Sequence, residues 1–244
     1  MDSKPFIQRL SECSIVRHPH ENGTLFTGDT QYSEEVVTKN YSDSENICNV
    51  SRAIRTFSSH AGTHADNPFH YNSSPSFNQY PDDQYQGAAV ILDVSKYLES
   101  KYDITKKMLE DAISSLGITN KYSLTRILIR TNPEDVYHTE PVDMFPYPTP
   151  EASMYIVELG ATVLGIDTPS IDHPHEKNIG ESNHGLFYDN KVALLENLNL
   201  SPRESMEGEI AIFFDPTRLY PDSRGVAEIF FFPLVEGKSV SSSW

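Results

Sequence analysis

The chain has 244 residues and carries 19 Lys and Arg against 35 Asp and Glu, a formal net charge of −16. A chain of this length folds as one large domain or two small ones and needs no disulfide to stabilise its core. The hydrophobic content of 38% is too high for a disordered chain. The acidic balance, with no Lys/Arg cluster, argues against nucleic acid as a partner, because a polyanion would bind against net repulsion.

Cysteine content and hydropathy bear on the compartment. Two cysteines, Cys13 and Cys48, are too few for a disulfide framework or a zinc–thiolate site. No apolar run approaches the roughly 18 residues of a membrane span, and the first residues lack the apolar core of a signal peptide. We therefore expect a cytoplasmic protein that has no membrane partner.

The predicted elements begin after a polar, acidic entry segment, residues 1–50, whose short apolar islands indicate one or two strands. Loop-forming residues dominate 71–86 and 132–150, and loops of that length inside a folded chain are often functional. No linker divides the chain, so we expect a single domain over residues 1–244.

Strands and helices alternate along the rest of the chain. Short apolar β-branched runs predict strands, and apolar stripes between a cap and a glycine predict helices. Strands are predicted at Ala88–Val94, Leu124–Thr131, Ala161–Asp167, Val192–Leu198, Ile210–Phe214 and Ala227–Leu234, and helices at 103–116 and from Thr149 to Gly160. This alternation predicts an α/β chain with a partly parallel sheet and antiparallel closing strands.

The segment with the most chemical information is residues 60–70, HAGTHADNPFH, which holds three of the nine histidines. Histidine and aspartate are ligands of borderline divalent metals. A fully extended chain separates His60 from His64 by about 13 Å. The chain must therefore either bend at Gly62 to bring both to one metal, or hold two metals about 3.5–4 Å apart with Asp66 between them. Taken singly, these histidines also fit a surface loop.

Further candidate ligands lie in the second half of the chain. Residues 167–175, DTPSIDHPH, follow a predicted strand, at the sheet edge where α/β folds place ligands. His173 and His175 in this stretch fit either extra ligands or a solvated loop. His184 follows, and Glu196 interrupts an apolar strand, where a buried carboxylate is costly unless it is paired or coordinated. Glu196 on an exposed strand face is the alternative.

These motifs resemble a known family, the cyclase-like metal hydrolases, and within it the bacterial kynurenine formamidases. Residues 60–70 resemble the signature His-x-Gly-Thr-His-x-Asp-x-Pro-x-x-His, with one residue fewer before the last histidine. The likeness extends to YQGAAVILD at 85–93, to LGIDTPSID at 164–172, and to His184 followed by LENL around Glu196. It covers about residues 50–234, although the relatives commonly carry a His-His pair where this chain has Asn183-His184.

The resemblance implies a mixed β/α fold with a barrel-like core and flanking helices, of the swivelling β/β/α type, assembled as a homodimer or homotetramer. It implies about two Zn²⁺ per chain, with Mn²⁺ as another candidate, and a catalytic acid/base at His70. The implied metal ligands are His60, His64, Asp66, His184 and Glu196, with Asp66 and Glu196 shared between the two ions.

The implied reaction is hydrolysis of N-formylkynurenine to kynurenine and formate by a metal-bound hydroxide. A metal lowers the pKa of bound water towards neutrality, a second metal stabilises the oxyanion, and His70 protonates the leaving anilide. Other amides, cyclic amides and lactones are alternative substrates, and a non-catalytic metal-binding oligomer is the alternative from another class. Candidates to orient the histidines are Thr63, Asp167 and Asp172, and loop aromatics that would either stack on an aryl substrate or anchor loops are Tyr80, Tyr85, Phe145 and Tyr147.

Overall fold

We describe the fold from a computed structural model of the chain. The described residues are 14–15 (backbone only), 29–42, 47–72, 80–98, 102–118, 121–131, 145–173, 182–201 and 204–234. The apolar islands predicted near residues 6 and 24, most of the 132–150 loop and His175 lie outside these ranges.

The described residues form twelve strands and three α-helices. The strands are β1 (Ser14–Ile15), β2 (Ser33–Ser42), β3 (Ile47–Thr56), β4 (His64–Asp66), β5 (Gly87–Asp93), β6 (Asp103–Ile104), β7 (Arg126–Arg130), β8 (Tyr147–Pro148), β9 (Val163–Ile166), β10 (Ala193–Glu196), β11 (Met206–Leu219) and β12 (Ser223–Pro233). The helices are α1 (Lys106–Leu116), α2 (Pro150–Glu158) and α3 (Asn183–Asp189).

Seven of the strands close into a barrel-like sheet. They are hydrogen-bonded in the order β12-β11-β5-β7-β9-β10-β4, and β4 pairs again with β12. The pairs among β5, β7, β9 and β10 are parallel, and the remaining pairs are antiparallel. The mixed α/β fold and the antiparallel pairing of the closing strands are therefore as expected from the sequence pattern, and the barrel-like core is as the family resemblance implies.

The parallel strands are buried on both faces, which explains their continuous apolar sequence. Leu92 and Ile129 face the helices, where they pack with Ile156 of α2. Ile91 and Leu128 alternate with them and face the barrel interior. Full burial of such a side chain stabilises the fold by about 1.5–3 kcal/mol. The barrel is thus a packed scaffold, and polar side chains inside it stand out.

The helix ends follow local capping rules, with one correction. Thr149 caps α2 through its hydroxyl, as predicted. The helix predicted from residue 103 begins three residues later, because the Thr105 hydroxyl accepts from the Met108 N–H and Asp103 pairs with β8 instead. Gly117 and Gly160 end the two helices with φ of 57° and 82°. No helix among the described residues is long and apolar enough to cross a membrane.

The β2–β3 hairpin, which we call the arm, forms its own two-stranded sheet. Each strand has ten residues, and all of them except Val37 are exposed. The sequence predicts one or two strands before residue 50 but gives no indication of this length. The apolar and polar residues of these strands do not alternate regularly, because neither face packs on the barrel.

Candidate metal centre

The centre begins at a bend in residues 58–70. Gly62 has φ of 69°, a left-handed conformation that favours glycine. The bend brings His60 back over His64, so that His60 Nδ1 lies 2.9 Å from His64 Nε2. Of the two geometries that the sequence leaves open, the structure has the bend at Gly62. The chain then enters β4, which places His64 and Asp66 on the same side of the strand.

Strand β10 adds Glu196 from the neighbouring position in the sheet. Glu196 lies opposite His64 in the antiparallel register, and Glu196 Oε2 lies 3.6 Å from His64 Nε2. Only 3% of Glu196 is exposed, so the alternative of an exposed strand face is wrong. A carboxylate so deeply buried requires a cation or hydrogen-bond donors nearby.

Helix α3 brings His184 to the other side of Asp66. His184 Nε2 lies 3.1 Å from Asp66 Oδ2 and 3.5 Å from Glu196 Oε1. This helix is not predicted from the sequence, since its seven residues are too few for a periodic pattern. The Asp172 carboxylate caps the N-terminus of α3, where it accepts the Asn183 N–H at 2.6 Å.

Asp66 is the residue that joins the two groups of donor atoms. Its Oδ1 lies 3.0 Å from His60 Nδ1 and 3.1 Å from His64 Nε2, while its Oδ2 faces His184. Ligands at 2.0–2.1 Å from a tetrahedral zinc ion are about 3.3 Å apart, so these separations fit a shared ion. Asp66 Oδ1 is fully buried and accepts no well-aligned hydrogen bond from the described residues.

The ring nitrogens of His60, His64 and His184 that point away from Asp66, here called the outward nitrogens, also indicate a metal site. His64 Nδ1 lies 2.9 Å from Gly62 O, and His184 Nδ1 lies 2.7 Å from Asp172 Oδ2. His60 Nε2 lies 3.4 Å from Asp222 Oδ2. A proton held on each outward nitrogen leaves a lone pair on the inward one, which is how proteins orient metal-binding histidines. The donor set therefore fits a divalent metal.

Electrostatics also favour a cation here. Burial raises the pKa of Asp66, but contacts with His184, His60 and His64 outweigh it and hold that pKa well below its usual value. Burial and the charge of Asp66 raise the pKa of Glu196 well above its usual value. Burial alone would lower the pKa of His60, yet Asp222 and Asp66 raise it to about 10. A proton on His60 would thus balance the Asp66 carboxylate, and metal binding would displace it.

His70 lies beside these groups, on the single turn that follows β4. Its ring centroid is 4.3 Å from that of His60 and 5.4 Å from that of His184. Partial burial lowers the pKa of His70 to about 4, below the unperturbed value assumed from sequence. Donor atoms of His70 also come close enough to those of Asp66 and His184 to share an ion with them.

The residues predicted to orient the histidines make different contacts. Asp172 contacts His184, as proposed. Thr63 donates to Asn197 O at 2.5 Å, and Asp167 accepts from the Thr131 backbone N–H and hydroxyl. Asp222 was missed, because the β11–β12 turn lies at the far end of the chain and its sequence reads as an ordinary turn.

The loop aromatics all make contacts within the chain. Tyr85 and Phe145 are fully buried, Tyr80 packs on the barrel interior, and Tyr147 donates to Asp103. His173 packs edge-on against Tyr147, 4.8 Å between centroids, and belongs to none of the metal-capable clusters of the described residues.

Tyr188 lies next to His184 and Tyr71 lies next to Tyr188, and neither was predicted from the sequence. Tyr188, one turn further along α3, has its ring centroid 5.9 Å from that of His184. Tyr71 lies 6.2 Å from Tyr188 and packs over Gly185, where a Cβ atom would come within 2.7 Å of its ring. The spacing of four between His184 and Tyr188 would have been a signal if the helix had been predicted.

Comparison with known proteins identifies relatives of this chain. The Cyclase family model matches residues 15–173. The chain is 32% identical to a kynurenine formamidase of Bacillus cereus over 195 residues, covering 79% of this chain and 84% of that protein. It is 34% identical to a kynurenine formamidase of Bacillus mycoides over 194 residues, with the same coverage.

Solved structures show the same fold. A potential metal-dependent hydrolase with cyclase activity matches with a TM-score of 0.63 at 20% identity, covering 90% of this chain and 97% of that one. An isatin hydrolase bound to the product analogue thioisatinate matches with a TM-score of 0.65 at 16% identity, covering 92% and 94%. The chain therefore belongs to the Cyclase family.

Proposed function

We propose that the protein is a zinc-dependent kynurenine formamidase, which hydrolyses N-formylkynurenine to kynurenine and formate in tryptophan breakdown. The chain is an enzyme that hydrolyses amide C–N bonds, as its relationship to the Bacillus kynurenine formamidases indicates. A non-catalytic metal-binding protein does not fit that relationship. The observation that carries the metal assignment is the buried Asp66, whose two oxygens face separate groups of histidine nitrogens.

The proposed ligands divide into two sets that share the carboxylates of Asp66 and Glu196, since Glu196 faces His64 as well as His184. His60 and His64 would complete one set, and His184 the other. When bound, two zinc ions lower the pKa of coordinated water towards neutrality and offset the charge of the two carboxylates. Mn²⁺ takes nitrogen and oxygen ligands too and is the other candidate ion.

His70 is the proposed acid/base, on the strength of its position. It follows the first ligand segment directly and is partly exposed, so that its imidazole is open to substrate. We propose that it accepts a proton from the attacking water and returns it to the leaving aryl amine, a role typical of histidine. Because His70 also adjoins Asp66 and His184, a fourth-ligand role is the competing assignment.

The aryl part of the substrate has two candidate contacts. Tyr188 lies beside His184 and Tyr71 lies beside Tyr188, and aromatic rings pair at centroid separations of about 4.5–7 Å. Tyr71 is 38% exposed, so its ring is accessible. We propose that the kynurenine ring packs against Tyr71 during turnover.

The test couples activity to metal content on one sample. Zinc-loaded protein should hydrolyse N-formylkynurenine, lose activity on chelation, recover it with zinc, and contain about two ions per chain. The variant His173→Asn is a matched control, because His173 lies outside the cluster. Two bound ions with turnover of isatin or a lactone, but none of N-formylkynurenine, would move the assignment to the related cyclic substrates.

His70→Ala separates its two possible roles. An acid/base role predicts unchanged zinc content and a lower kcat, by about 10²–10⁴-fold. A parallel fall in zinc content would make His70 a ligand and overturn the assignment.

Compartment and assembly complete the proposal. Cys48 is a free, exposed thiol, which a reducing compartment preserves, and we place the protein in the cytoplasm. We also propose a homodimer or homotetramer in solution.

A further inference from the structure

The strand pairing that joins the two sides of the metal centre is short. The pairing of β4 with β10 runs from Asp66 opposite Leu194 to His64 opposite Glu196 and ends there. A centre that holds two ions about 3.5–4 Å apart needs a fixed separation between its two sides, and a displacement of about 1 Å at a reacting centre can cost about 100-fold in rate. The strand pairing therefore ends at the position where the spacing of ligands matters most.

Asn197, the residue after Glu196, continues the link through a side chain. Its φ of 56° lies in the left-handed region and turns the backbone out of the strand. Thr63 is the residue that would come opposite it in the register, and the Thr63 hydroxyl donates to Asn197 O at 2.5 Å. The Asn197 amide also donates to His60 O, in a longer contact of 3.5 Å. The bend that carries the first ligands is thus bonded to the residue that follows Glu196.

The backbone N–H of Asn197 makes a bond in another direction. It donates at 3.0 Å to the carbonyl of Thr168, in the loop of residues 167–172 that follows β9. In the same loop, the Ile171 N–H donates to Glu196 Oε1 at 3.0 Å. Asn197 is therefore bonded both to the bend on the first side and to the loop that supports the Glu196 carboxylate.

The left-handed conformation of Asn197 gives these backbone groups their directions. Among the described non-glycine residues, only Lys191, with φ of 59°, shares a positive φ. Lys191 lies in an exposed turn, whereas Asn197 is 3% exposed. Asparagine tolerates the left-handed region better than most side chains, and residues held in such conformations are concentrated at functional sites. The position of Asn197 next to a ligand fits that pattern.

We propose that Asn197 is a positioning residue of the metal centre. Its left-handed backbone holds the bend of residues 60–63 and the loop of residues 167–172 at a fixed separation from Glu196, and so sets the spacing of the ligands on either side of Asp66. The inference rests on the metal centre of the proposed function but not on the identity of the substrate.

Co²⁺ binding tests the inference without turnover. Co²⁺ binds to the same nitrogen and oxygen ligands as zinc, and its visible absorption depends on the geometry of those ligands. Thr63→Val keeps the shape of the side chain but removes the hydroxyl that donates to Asn197. It should weaken Co²⁺ binding by about 10–100-fold, the usual cost of losing a partner that orients a ligand, and should change the spectrum. Thr63→Ser, the conservative variant, retains the hydroxyl and should keep most of the affinity.

Substitutions of Asn197 test the conformation itself. Asn197→Gly leaves the left-handed region accessible, so Co²⁺ affinity should fall only a few-fold, through loss of the amide contact with His60 O. Asn197→Val introduces a β-branched residue that avoids positive φ, and its affinity should fall at least as far as that of Thr63→Val. Lys191→Val is the matched control, because it imposes the same strain in an exposed turn. It should lower the free energy of unfolding and leave the Co²⁺ spectrum unchanged.

The outcomes separate this inference from the metal assignment. Wild-type Co²⁺ affinity and spectrum in Thr63→Val would overturn the positioning role while the metal assignment stands. Equal weakening by Lys191→Val and Asn197→Val would also overturn it, since general strain would then explain the loss. A wild type that binds no Co²⁺ would overturn the metal assignment and the positioning role with it. Urea unfolding of the metal-free variants shows which of them fold, and the Thr63 pair decides if Asn197→Val does not.

Discussion

The two sides of the metal centre are built in different ways. One side comes from a single segment, residues 60–70, in which a bend at Gly62 folds His60 over His64. The other side comes from helix α3 and strand β10, and the antiparallel pairing of β10 with β4 brings it to the first side. Asp66 stands between them and faces both.

The two sides of the centre differ in the interactions that hold their ligands in place. The first side is fixed locally, by backbone conformation and by the Gly62 carbonyl behind His64. The second depends on side chains that hold α3 in place, Asp172 at its start and Asn183 beneath it. We therefore expect substitutions in the second group to loosen the centre by degrees, and removal of Asp66 to abolish it.

Asp66→Asn should have the largest effect. The amide keeps the shape but removes the charge that both donor groups share. Zinc content should fall to near zero, and kcat/KM by at least about 1,000-fold, because a bound metal contributes several kcal/mol to transition-state stabilisation. Zinc measured on the protein used for kinetics checks this. Asp189→Asn, at the exposed end of α3, is the control, and full zinc content in Asp66→Asn would refute the shared-ligand assignment.

The carboxylates behind His184 and His60 allow the two sides to be compared directly. Asp172→Asn should weaken zinc binding by about 10–100-fold, the usual cost of losing such a partner, because Asp172 lies 2.7 Å from His184 and is partly buried. Asp222→Asn should weaken it by less, since Asp222 is 3.4 Å from His60 and more exposed. Competition with a chromogenic chelator gives both constants, and a larger effect of Asp222→Asn would reverse the comparison.

The features that can be predicted from the sequence are those that local contacts determine. Capping at Thr149, the apolar parallel strands and the ligand segment are local patterns, and the sequence predicts them. Asp222 and Tyr71 enter the centre only through the closure of the barrel and the docking of α3, which no local pattern encodes. The length of the arm is not predicted because its strands pack on nothing among the described residues of their own chain. Such strands lack the alternation of apolar and polar residues that burial imposes.

Asn183→Ala should lower the free energy of unfolding and should have a smaller effect on zinc affinity. The Asn183 amide donates to Pro148 O and Ile171 O, both at 2.8 Å, and accepts from the Ser153 hydroxyl at 2.8 Å. Truncation leaves buried partners unsatisfied at about 1–3 kcal/mol. Urea unfolding of the metal-free protein measures the loss, and zinc affinity reduced beyond that of Asp172→Asn would show that Asn183 matters more to the centre than to the fold.

Gly185→Ala should have the smallest effect, confined to substrate binding. The new Cβ would meet the end of the Tyr71 ring, which can turn aside because it is partly exposed, so neither fold nor zinc content should change. If the substrate ring packs against Tyr71, KM should rise several-fold while kcat stays nearly constant. The lost contact stabilises the bound substrate and the transition state equally, so its loss weakens binding without slowing the chemical step. Tyr71→Phe, which keeps the ring, should leave KM near the wild-type value. Equal KM in wild type and Gly185→Ala would remove Tyr71 from the substrate site and leave Tyr188 as the aromatic contact next to His184.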